Sequence, residues 1–249
     1  EDKKNKVEGE KRALVGLKTN LGDQKKVLDM NKKEKNTLLV QTKNKESEYK
    51  KILAQKQIEK ERFERELFEF ESKLKIAIDP NSFAGAKKGV LFWPLENIYI
   101  TQSFGRTIDS RRLYVSGTHN GVDFRAPRGT IVLAALSGVV EAVGNTDAQG
   151  GCYSYGKWVL LRHENGLSSL YAHLDLIKVV PGQNVATSDI IGYSGQTGYA
   201  TGPHLHFSLY ASQGVSIQRY SQSKNCKNVD IPIASSNAYL DPMVYFPQL

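Results

Sequence analysis

The strongest constraint on the fold is an abrupt change in where glycine and proline occur along the 249 residues. No proline precedes Pro80 and no glycine lies between Gly22 and Gly85, whereas the remainder holds most of both residue types. Both residues interrupt helices, so their absence permits long helices and their abundance favours short strands joined by turns. We therefore expect α + β in separate regions: a long helix or coiled coil over residues 1–79, a hinge linker over 80–92, and a mainly antiparallel β domain over 93–249.

The N-terminal region shows a seven-residue apolar repeat among good helix formers. Its first seam comprises Val7, Leu14, Leu21, Leu28, Tyr49, Phe63, Phe70 and Ala77. The companion stripe is weaker, with Leu17, Leu38 and Ile52 apolar but Gln24, Asn31, Lys45, Glu59 and Glu66 polar. This pattern favours a helix that packs as a coiled coil along part of its length and ends at Asp79-Pro80. The polar middle, residues 31–45, is equally compatible with a hairpin tip.

Charge and hydropathy exclude several classes of partner. Residues 1–79 carry 21 Lys/Arg against 16 Asp/Glu, which accounts for +5 of the net +8. Lysines interleaved with glutamates are typical of a solvated helix with charge pairs, and no aromatic-plus-basic RNA motif accompanies them, so we expect no nucleic acid partner. No run of 18 apolar residues predicts a membrane span. Since no signal peptide is visible, we expect any export signal or anchor to lie upstream of this chain.

From about Val90 the pattern changes to short β-like runs. Examples are residues 138–143, 158–161 and 167–173, and Glu164-Asn165-Gly166 between the last two predicts a hairpin. No long amphipathic helix interrupts these runs. The pattern favours a mainly antiparallel sheet or sandwich.

Four of the five histidines fall in three short segments: His119-Asn-Gly-Val-Asp123, Tyr171-Ala-His173 and Gly202-Pro-His204-Leu-His206. Residues two apart on a strand share a face, so His204 and His206 can converge on one site. His119 and Asp123 flank Gly121, whose missing side chain would let the backbone bend so that both reach one metal. His119, Asp123 and one of His204 or His206 would give three zinc ligands with an open position, leaving the other and His173 for acid–base work. The fifth, His163, is expected to be structural.

Together these segments resemble the lysostaphin/LytM-type zinc endopeptidases that cut peptidoglycan peptides. The resemblance covers about residues 94–245 and includes Gln102-Ser-Phe-Gly-Arg106, the run from Ser194 to Phe207 and the closing Asp241-Pro242. It implies that His119, Asp123 and His206 bind zinc and that His173 and His204 are the catalytic pair. It also implies a mostly antiparallel β fold with a narrow groove over the metal, and metal-assisted hydrolysis of an amide bond. Stem-peptide cross-links are the expected substrate.

Two stretches look longer than this family's usual loops, residues 144–156 with Cys152 and residues 212–237 with Cys226. Neither cysteine belongs to a Cys-x-x-Cys pair, which disfavours a cysteine zinc site. An isolated pair in a domain with secreted-type chemistry suggests a disulfide that joins the two insertions, with two free thiols as the alternative.

The helix ahead of the β domain is similar to those of bacterial coiled-coil division and separation factors. That resemblance implies action outside the cytoplasm, in the periplasm or on the cell-wall side of the membrane. It also implies regulation by the coiled coil, through self-association or a membrane-bound, transporter-like regulator. A non-catalytic activator of a cell-wall amidase is the alternative, which the presence of all five expected site residues disfavours.

Overall fold

The N-terminal region forms two helices in the computed structural model, which describes residues 2–42 and 45–249. Helix α1 spans Asp2–Thr42 and helix α2 spans Glu46–Lys73. The helical class expected here is confirmed. Helix α1 ends within the polar middle segment, residues 31–45, and α2 begins directly after that segment. Residues 1–50 and residues 51–249 form two compact units, so most of α2 belongs to the same unit as the β strands.

Helix α2 ends six residues before the Asp79-Pro80 pair that the sequence favours as its stop. Beyond Lys73 the chain makes contacts with the β domain instead of helical hydrogen bonds. Asn237 donates from Nδ2 to the carbonyl of Ile76 at 3.1 Å, and Ile78 packs against a core cluster. Tertiary packing therefore overrides the helical propensity of these residues.

Residues 74–249 form twelve strands, one short α-helix and four 3₁₀ helices. The strands are β1 Ile100–Gln102, β2 Val122–Arg125, β3 Ile131–Leu133, β4 Gly138–Asn145, β5 Lys157–Arg162, β6 Leu167–Ile177, β7 Asn184–Val185, β8 Ile190–Ser194, β9 His204–Ala211, β10 Val215–Arg219, β11 Asp230–Ala234 and β12 Tyr239–Leu240, with helix α3 at Ile108–Leu113. Every pairing between them is antiparallel, which confirms the expected fold class. The hairpin predicted around Glu164-Asn165-Gly166 joins β5 to β6.

The strand order places the three histidine-bearing segments side by side. The main sheet runs β1-β2-β9-β6-β5-β4-β7, so β9 lies between β2 and β6. In this register Asp123 of β2 and Ala172 of β6 both pair with His206 of β9. Segments more than 80 residues apart in sequence thus meet at one end of the sheet.

Apolar side chains form three clusters, and the third fixes α2. The first cluster, around Phe124, Tyr171 and Phe207, packs one face of the main sheet, and the second includes Trp158 and Tyr210. The third joins α2 to the two-stranded sheet β10–β11; it contains Phe63, Leu67, Cys152, Tyr220, Cys226, Val229, Ile231 and Ile233.

Candidate active site

His119, Asp123 and His206 lie together as a compact group of possible metal ligands. One nitrogen or oxygen atom from each lies within 4.8 Å of the others, and all three residues are buried. The Oδ1 atom of Asp123 is 2.8 Å from Nδ1 of His206 and 3.3 Å from Nε2 of His119. The two histidine nitrogens are 3.2 Å apart. The sequence motif therefore closes into a three-donor cluster.

Glycine is required at position 121, between His119 and Asp123, because atoms of Phe207 and His206 approach its Cα closely. A Cβ atom built there would lie 2.4 Å from the carbonyl oxygen of Phe207 and 2.7 Å from Cε1 of His206. Such distances are far shorter than van der Waals contact. The hydrogen atom of glycine thus lets β9 and the imidazole of His206 pack directly against the segment that carries the other two donors.

The hydrogen bonds behind the cluster orient the two imidazoles. Nδ1 of His119 donates to the carbonyl of Ser103 at 3.1 Å, which leaves Nε2 free to face the cluster. Nε2 of His206 is 2.9 Å from Oγ of Ser208, which leaves Nδ1 to face Asp123 in the cluster. Outer hydrogen bonds of this kind fix the tautomer and ring orientation of metal-binding histidines. Two imidazole nitrogens and one carboxylate, oriented in this way, fit a metal site.

His173 and His204 lie beside the three donors. Their ring centroids are 4.6 Å apart, and Nε2 of His204 is 3.8 Å from Oδ1 of Asp123. Each uses Nδ1 to donate to a carbonyl at 2.8 Å, His173 to Thr197 and His204 to Gly202. Both therefore keep Nε2 available for a proton acceptor or donor role in the site.

The backbone at His173 is strained, with φ at +62°. The register between β6 and its neighbours shifts around this residue, and its N–H donates to the carbonyl of Tyr155 at 2.9 Å. A side chain rarely tolerates this region of φ, and such strain is concentrated at functional positions. The bulge turns His173 out of the regular alternation of β6.

The surroundings of Asp123 and His173 give the two side chains different charge states at neutral pH. Burial raises the pKa of Asp123, but hydrogen bonds from His119 and His206 outweigh it and hold that pKa well below its usual value. Burial, together with the nearby His204 and His206, holds the pKa of His173 well below its usual value. Burial also lowers the pKa of His206. At neutral pH, Asp123 is a carboxylate and His173 a neutral imidazole.

As expected from the sequence, His163 lies outside this cluster. It is buried between Ser137, whose carbonyl accepts from Nδ1 at 2.9 Å, and Ser169, whose Oγ is 2.8 Å from Nε2. Both ring nitrogens are thus used within the sheet.

Aromatic residues complete the site, and the spacing of the motifs gave no means of finding them. The ring of Tyr114 stacks on the ring of His119 at 5.2 Å with an interplanar angle of 10°. The hydroxyl of Tyr155 accepts from Nδ2 of Asn120 at 3.3 Å. Tyr199, within the run from Ser194 to Phe207, lines the same groove.

Helix α2 lines the groove over the cluster. Lys60, Phe63, Glu64 and Leu67 border the same cavity as His173, His204 and His206. Burial raises the pKa of Glu64, although Lys60 and the N–H of Val115 act in the opposite direction. Side chains of α2 therefore form part of the lining of this groove.

Cys152 and Cys226 form a disulfide across a sequence separation of 74 residues, with their Cα atoms 4.9 Å apart. The two extended loops meet there. Phe63 and Leu67 of α2 pack in the same cluster, so the bonded insertions form part of the seat of the helix.

Within residues 2–42 and 45–249, no helix has the length and apolar character needed to cross a membrane.

Residues 117–219 match the sequence model of peptidase family M23. The DD-carboxypeptidase/endopeptidase Mpg of Neisseria meningitidis is 40% identical over 121 residues, which cover 49% of this chain and 26% of that protein. The peptidoglycan DD-endopeptidase ShyA of Vibrio cholerae is 37% identical over 133 residues, covering 51% of this chain and 27% of that protein. The catalytic domain of lysostaphin from Staphylococcus simulans is 30% identical, with 59% of this chain and 90% of that domain covered and a TM-score of 0.44. The matches span about a quarter of the length of these two curated relatives.

Proposed function

We propose that this chain, whose residues 117–219 match peptidase family M23, is a zinc-dependent endopeptidase that hydrolyses stem peptides or peptide cross-links of bacterial peptidoglycan. The observation that carries the proposal is the convergence of His119, Asp123 and His206 within 4.8 Å. The names of the two curated relatives support a peptide bond of peptidoglycan as the substrate. Action on that polymer implies a location outside the cytoplasm.

His119, Asp123 and His206 would hold the zinc ion, and His173 and His204 would carry out proton transfer. Bound zinc would supply Lewis-acid polarisation of a carbonyl and a lowered pKa for water. His173 is suited to accept a proton at Nε2, since burial keeps it neutral and Thr197 fixes its Nδ1–H. His204, whose Nδ1 donates to the carbonyl of Gly202 and whose Nε2 lies near the carboxylate of Asp123, is suited to take up a proton at Nε2 and then donate it to the oxyanion that develops on the scissile carbonyl. General acid–base groups of this kind typically contribute roughly 10²–10⁴-fold to the rate.

We also propose that α2 restrains this site. Three contacts on the β domain support the restraint, besides the apolar seat of Phe63 and Leu67. The hydroxyl of Tyr220 donates to the carbonyl of Glu66 at 2.7 Å. Glu71 accepts from the N–H of Ala234 at 3.0 Å and from the hydroxyl of Tyr239 at 2.9 Å. A polymer strand could enter the groove only when α2 moves away.

Helix α1 provides the surface through which release could be controlled. Its seam residues Val7, Leu14, Leu21 and Leu28 are each at least 60% exposed. We propose that this seam pairs as a coiled coil, with a second copy of the chain or with a membrane-bound, transporter-like regulator. Sedimentation of the chain over a range of concentrations tests self-association. A monomer at every concentration would leave only the second partner.

We retain the division into a helical region (1–79), a hinge linker (80–92) and a catalytic β domain (93–249) as a proposal about folding units. Limited proteolysis tests it. Preferred cleavage within residues 80–92 is the expected result, and cleavage confined to other regions contradicts it.

The decisive test of the function is mass spectrometry of fragments released from defined peptidoglycan by the zinc-loaded chain. We expect hydrolysed stem-peptide or cross-link bonds with the wild-type chain. Replacement of His204 by alanine should leave zinc content unchanged and stop turnover. If neither the wild-type chain nor the chain with α2 displaced by substitution at Phe63 releases a fragment, the enzymatic proposal is refuted. That result would then favour the non-catalytic amidase activator.

A further inference from the structure

A buried lysine of α2 points its amine into a cage built by the β domain. Lys60 is 7% exposed, and its Nζ atom lies 4.9 Å from the ring centroids of both Tyr114 and Tyr199. Nζ also donates to the carbonyl of Leu113 at 2.9 Å. An ammonium between two aromatic faces, with a carbonyl acceptor, is a recognised arrangement for binding alkylammonium groups.

The walls of this cage have contacts within the β domain, and the hydroxyl of Tyr199 also donates to Oε1 of Gln57 on α2. Tyr114 stacks on His119, and its hydroxyl donates to Oε1 of Gln102 at 3.4 Å. The backbone N–H of Tyr199 donates to the carbonyl of Ser154 at 3.0 Å. The cage thus belongs to the β domain, whereas the ammonium that fills it belongs to α2.

The charge of Lys60 is balanced by its own helix. The Oε1 atom of Glu64, one turn further along α2, lies 3.0 Å from Nζ. When α2 leaves the groove, the ammonium and its counter-ion leave together. What remains is a pair of aromatic faces with an unused carbonyl, which favours a new cation.

The cage also lies next to the three-donor cluster. Its wall, Tyr114, is the ring that stacks on His119, so only one aromatic ring separates the cage from a proposed ligand. A peptide bound with its scissile carbonyl at the cluster would place a neighbouring side chain in the cage. His173 and His204 line the same groove as Tyr114 and Tyr199, so the cage and the reacting bond share one surface.

We propose that Tyr114, Tyr199 and the carbonyl of Leu113 form a substrate subsite for a primary ammonium group of a diamino acid residue, and that Lys60 occupies this subsite as an internal mimic. The proposal rests on the proposed peptidase function and specifies which peptides the site prefers. It also explains why a lysine is buried over the active site, a position where desolvation is unfavourable unless the ammonium is well bound.

The test of specificity uses the full chain with Lys60→Met, which vacates the cage but keeps an unbranched side chain with good helix propensity. Lys50→Met, on an exposed part of α2, is the matched control. Two synthetic peptides are compared that differ only in acetylation of one diamino acid side chain. We expect zinc-loaded Lys60→Met to cleave the free-amine peptide with kcat/KM about tenfold above its acetylated twin. Lys50→Met should remain as slow as the wild-type chain on both peptides.

If the subsite is correct, the preference for the free-amine peptide depends on the aromatic ring of Tyr199. Adding Tyr199→Leu to Lys60→Met should reduce the ratio of the two kcat/KM values to within about twofold, because one of the two cation–π contacts is lost. Adding Tyr199→Phe keeps the ring and should retain most of the preference. Equal cleavage of both peptides by Lys60→Met overturns the subsite and leaves the peptidase function intact.

A second measurement needs no turnover. In the full chain carrying Lys60→Ala, n-butylammonium chloride should raise Tm in a saturable way, since a ligand that binds only the folded state stabilises it. n-Butanol with sodium chloride at matched ionic strength should not, nor should butylammonium act on the wild-type chain, whose cage is filled. The same Tm response to butylammonium and to butanol overturns the ammonium subsite. A butylammonium-specific response in a chain that cleaves neither peptide supports the subsite and refutes the peptidase function.

Discussion

Helices α1 and α2 carry the same apolar repeat but bury it to very different extents. Leu14 and Leu21 on the seam of α1 are 66% and 62% exposed, whereas Phe63 and Leu67 on α2 are 2% and 8% exposed. Intrinsic helix propensity is similar in the two segments, so propensity does not explain the difference. The difference lies in the surface available: α2 has a seat that contains the disulfide and strands β10 and β11.

We interpret this contrast as a division of the chain into three parts with different roles. In the proposed division, the β domain holds the donor cluster, α2 restrains access to it, and α1 offers an apolar seam to a partner. If the division is correct, substitutions in the cluster should remove activity outright. Substitutions in the α2 seat should increase activity, and matched substitutions in α1 should leave it unchanged.

The largest effect is expected for Asp123→Ala. The variant removes the carboxylate donor and leaves two buried imidazoles, so zinc content should fall to background and turnover by at least about 10³-fold. Metal analysis and peptide hydrolysis check this. Asp109→Ala, an exposed carboxylate on α3, is the control, and zinc retained by Asp123→Ala would remove Asp123 from the ligand set.

Replacing both Cys152 and Cys226 by serine should have the next largest effect. A disulfide that closes a loop of this length contributes about 4 kcal/mol in the chain-entropy view, and the substitution also loosens the seat of Phe63 and Leu67. We expect a lower free energy of unfolding, measured by denaturant titration, together with faster hydrogen exchange in α2. Unchanged exchange in α2 would show that the insertions do not support the helix.

Phe63→Ala tests the contrast between the helices directly. Truncation of a buried phenylalanine costs about 3–5 kcal/mol, whereas Leu21→Ala at an exposed position should stay within about 0.5 kcal/mol. Phe63→Ala should therefore weaken docking of α2 and increase turnover on peptide substrates, roughly 10²-fold if docking is limiting. Leu21→Ala should leave turnover unchanged. Equal rates for the two variants would contradict restraint by α2.

The sequence alone predicted the parts of the site that follow local periodicity. The two-residue spacing of His204 and His206 placed both on one strand face, and His119-x-Gly-x-Asp123 gave the remaining donors. Local spacing could not choose between His204 and His206, because that choice depends on the cross-strand pairing of His206 with Asp123. Only the family resemblance supplied it.

The features that the sequence did not predict all depend on packing between distant segments. Tyr114 and Tyr155 come from loops, where no periodicity marks a functional side chain. The early end of α2 at Lys73 reflects contacts of Ile76 and Ile78 with the β domain. The burial of Lys60 likewise required knowledge of what α2 packs against, since its sequence context is that of a solvated helix.

The smallest effect expected concerns pH and Glu71, the carboxyl group at the far end of the α2 seat. Burial raises its pKa to about 7, although hydrogen bonds from Ala234 and Tyr239 partly offset this. Released from the seat, Glu71 would titrate near its ordinary value of 4.5. The protonated form therefore stabilises docking, fully below pH 4.5, and that stabilisation is lost as pH rises through about 7. From pH 5 to pH 7 docking should weaken by about 2 kcal/mol.

Hydrogen exchange of α2 against pH measures this effect, because exchange reports the free energy of local opening. The tyrosines that interact with Glu71 have raised pKa values and stay neutral across this range, so they add no competing titration; they are Tyr155, Tyr210, Tyr220 and Tyr239. Glu71→Gln keeps the shape of the side chain and cannot ionise. Its α2 exchange, corrected for the intrinsic rate, should be independent of pH, whereas the wild-type helix should open more readily as pH rises. If the two proteins respond to pH alike, another group controls the docking of α2, and the contrast with α1 would rest on apolar packing alone.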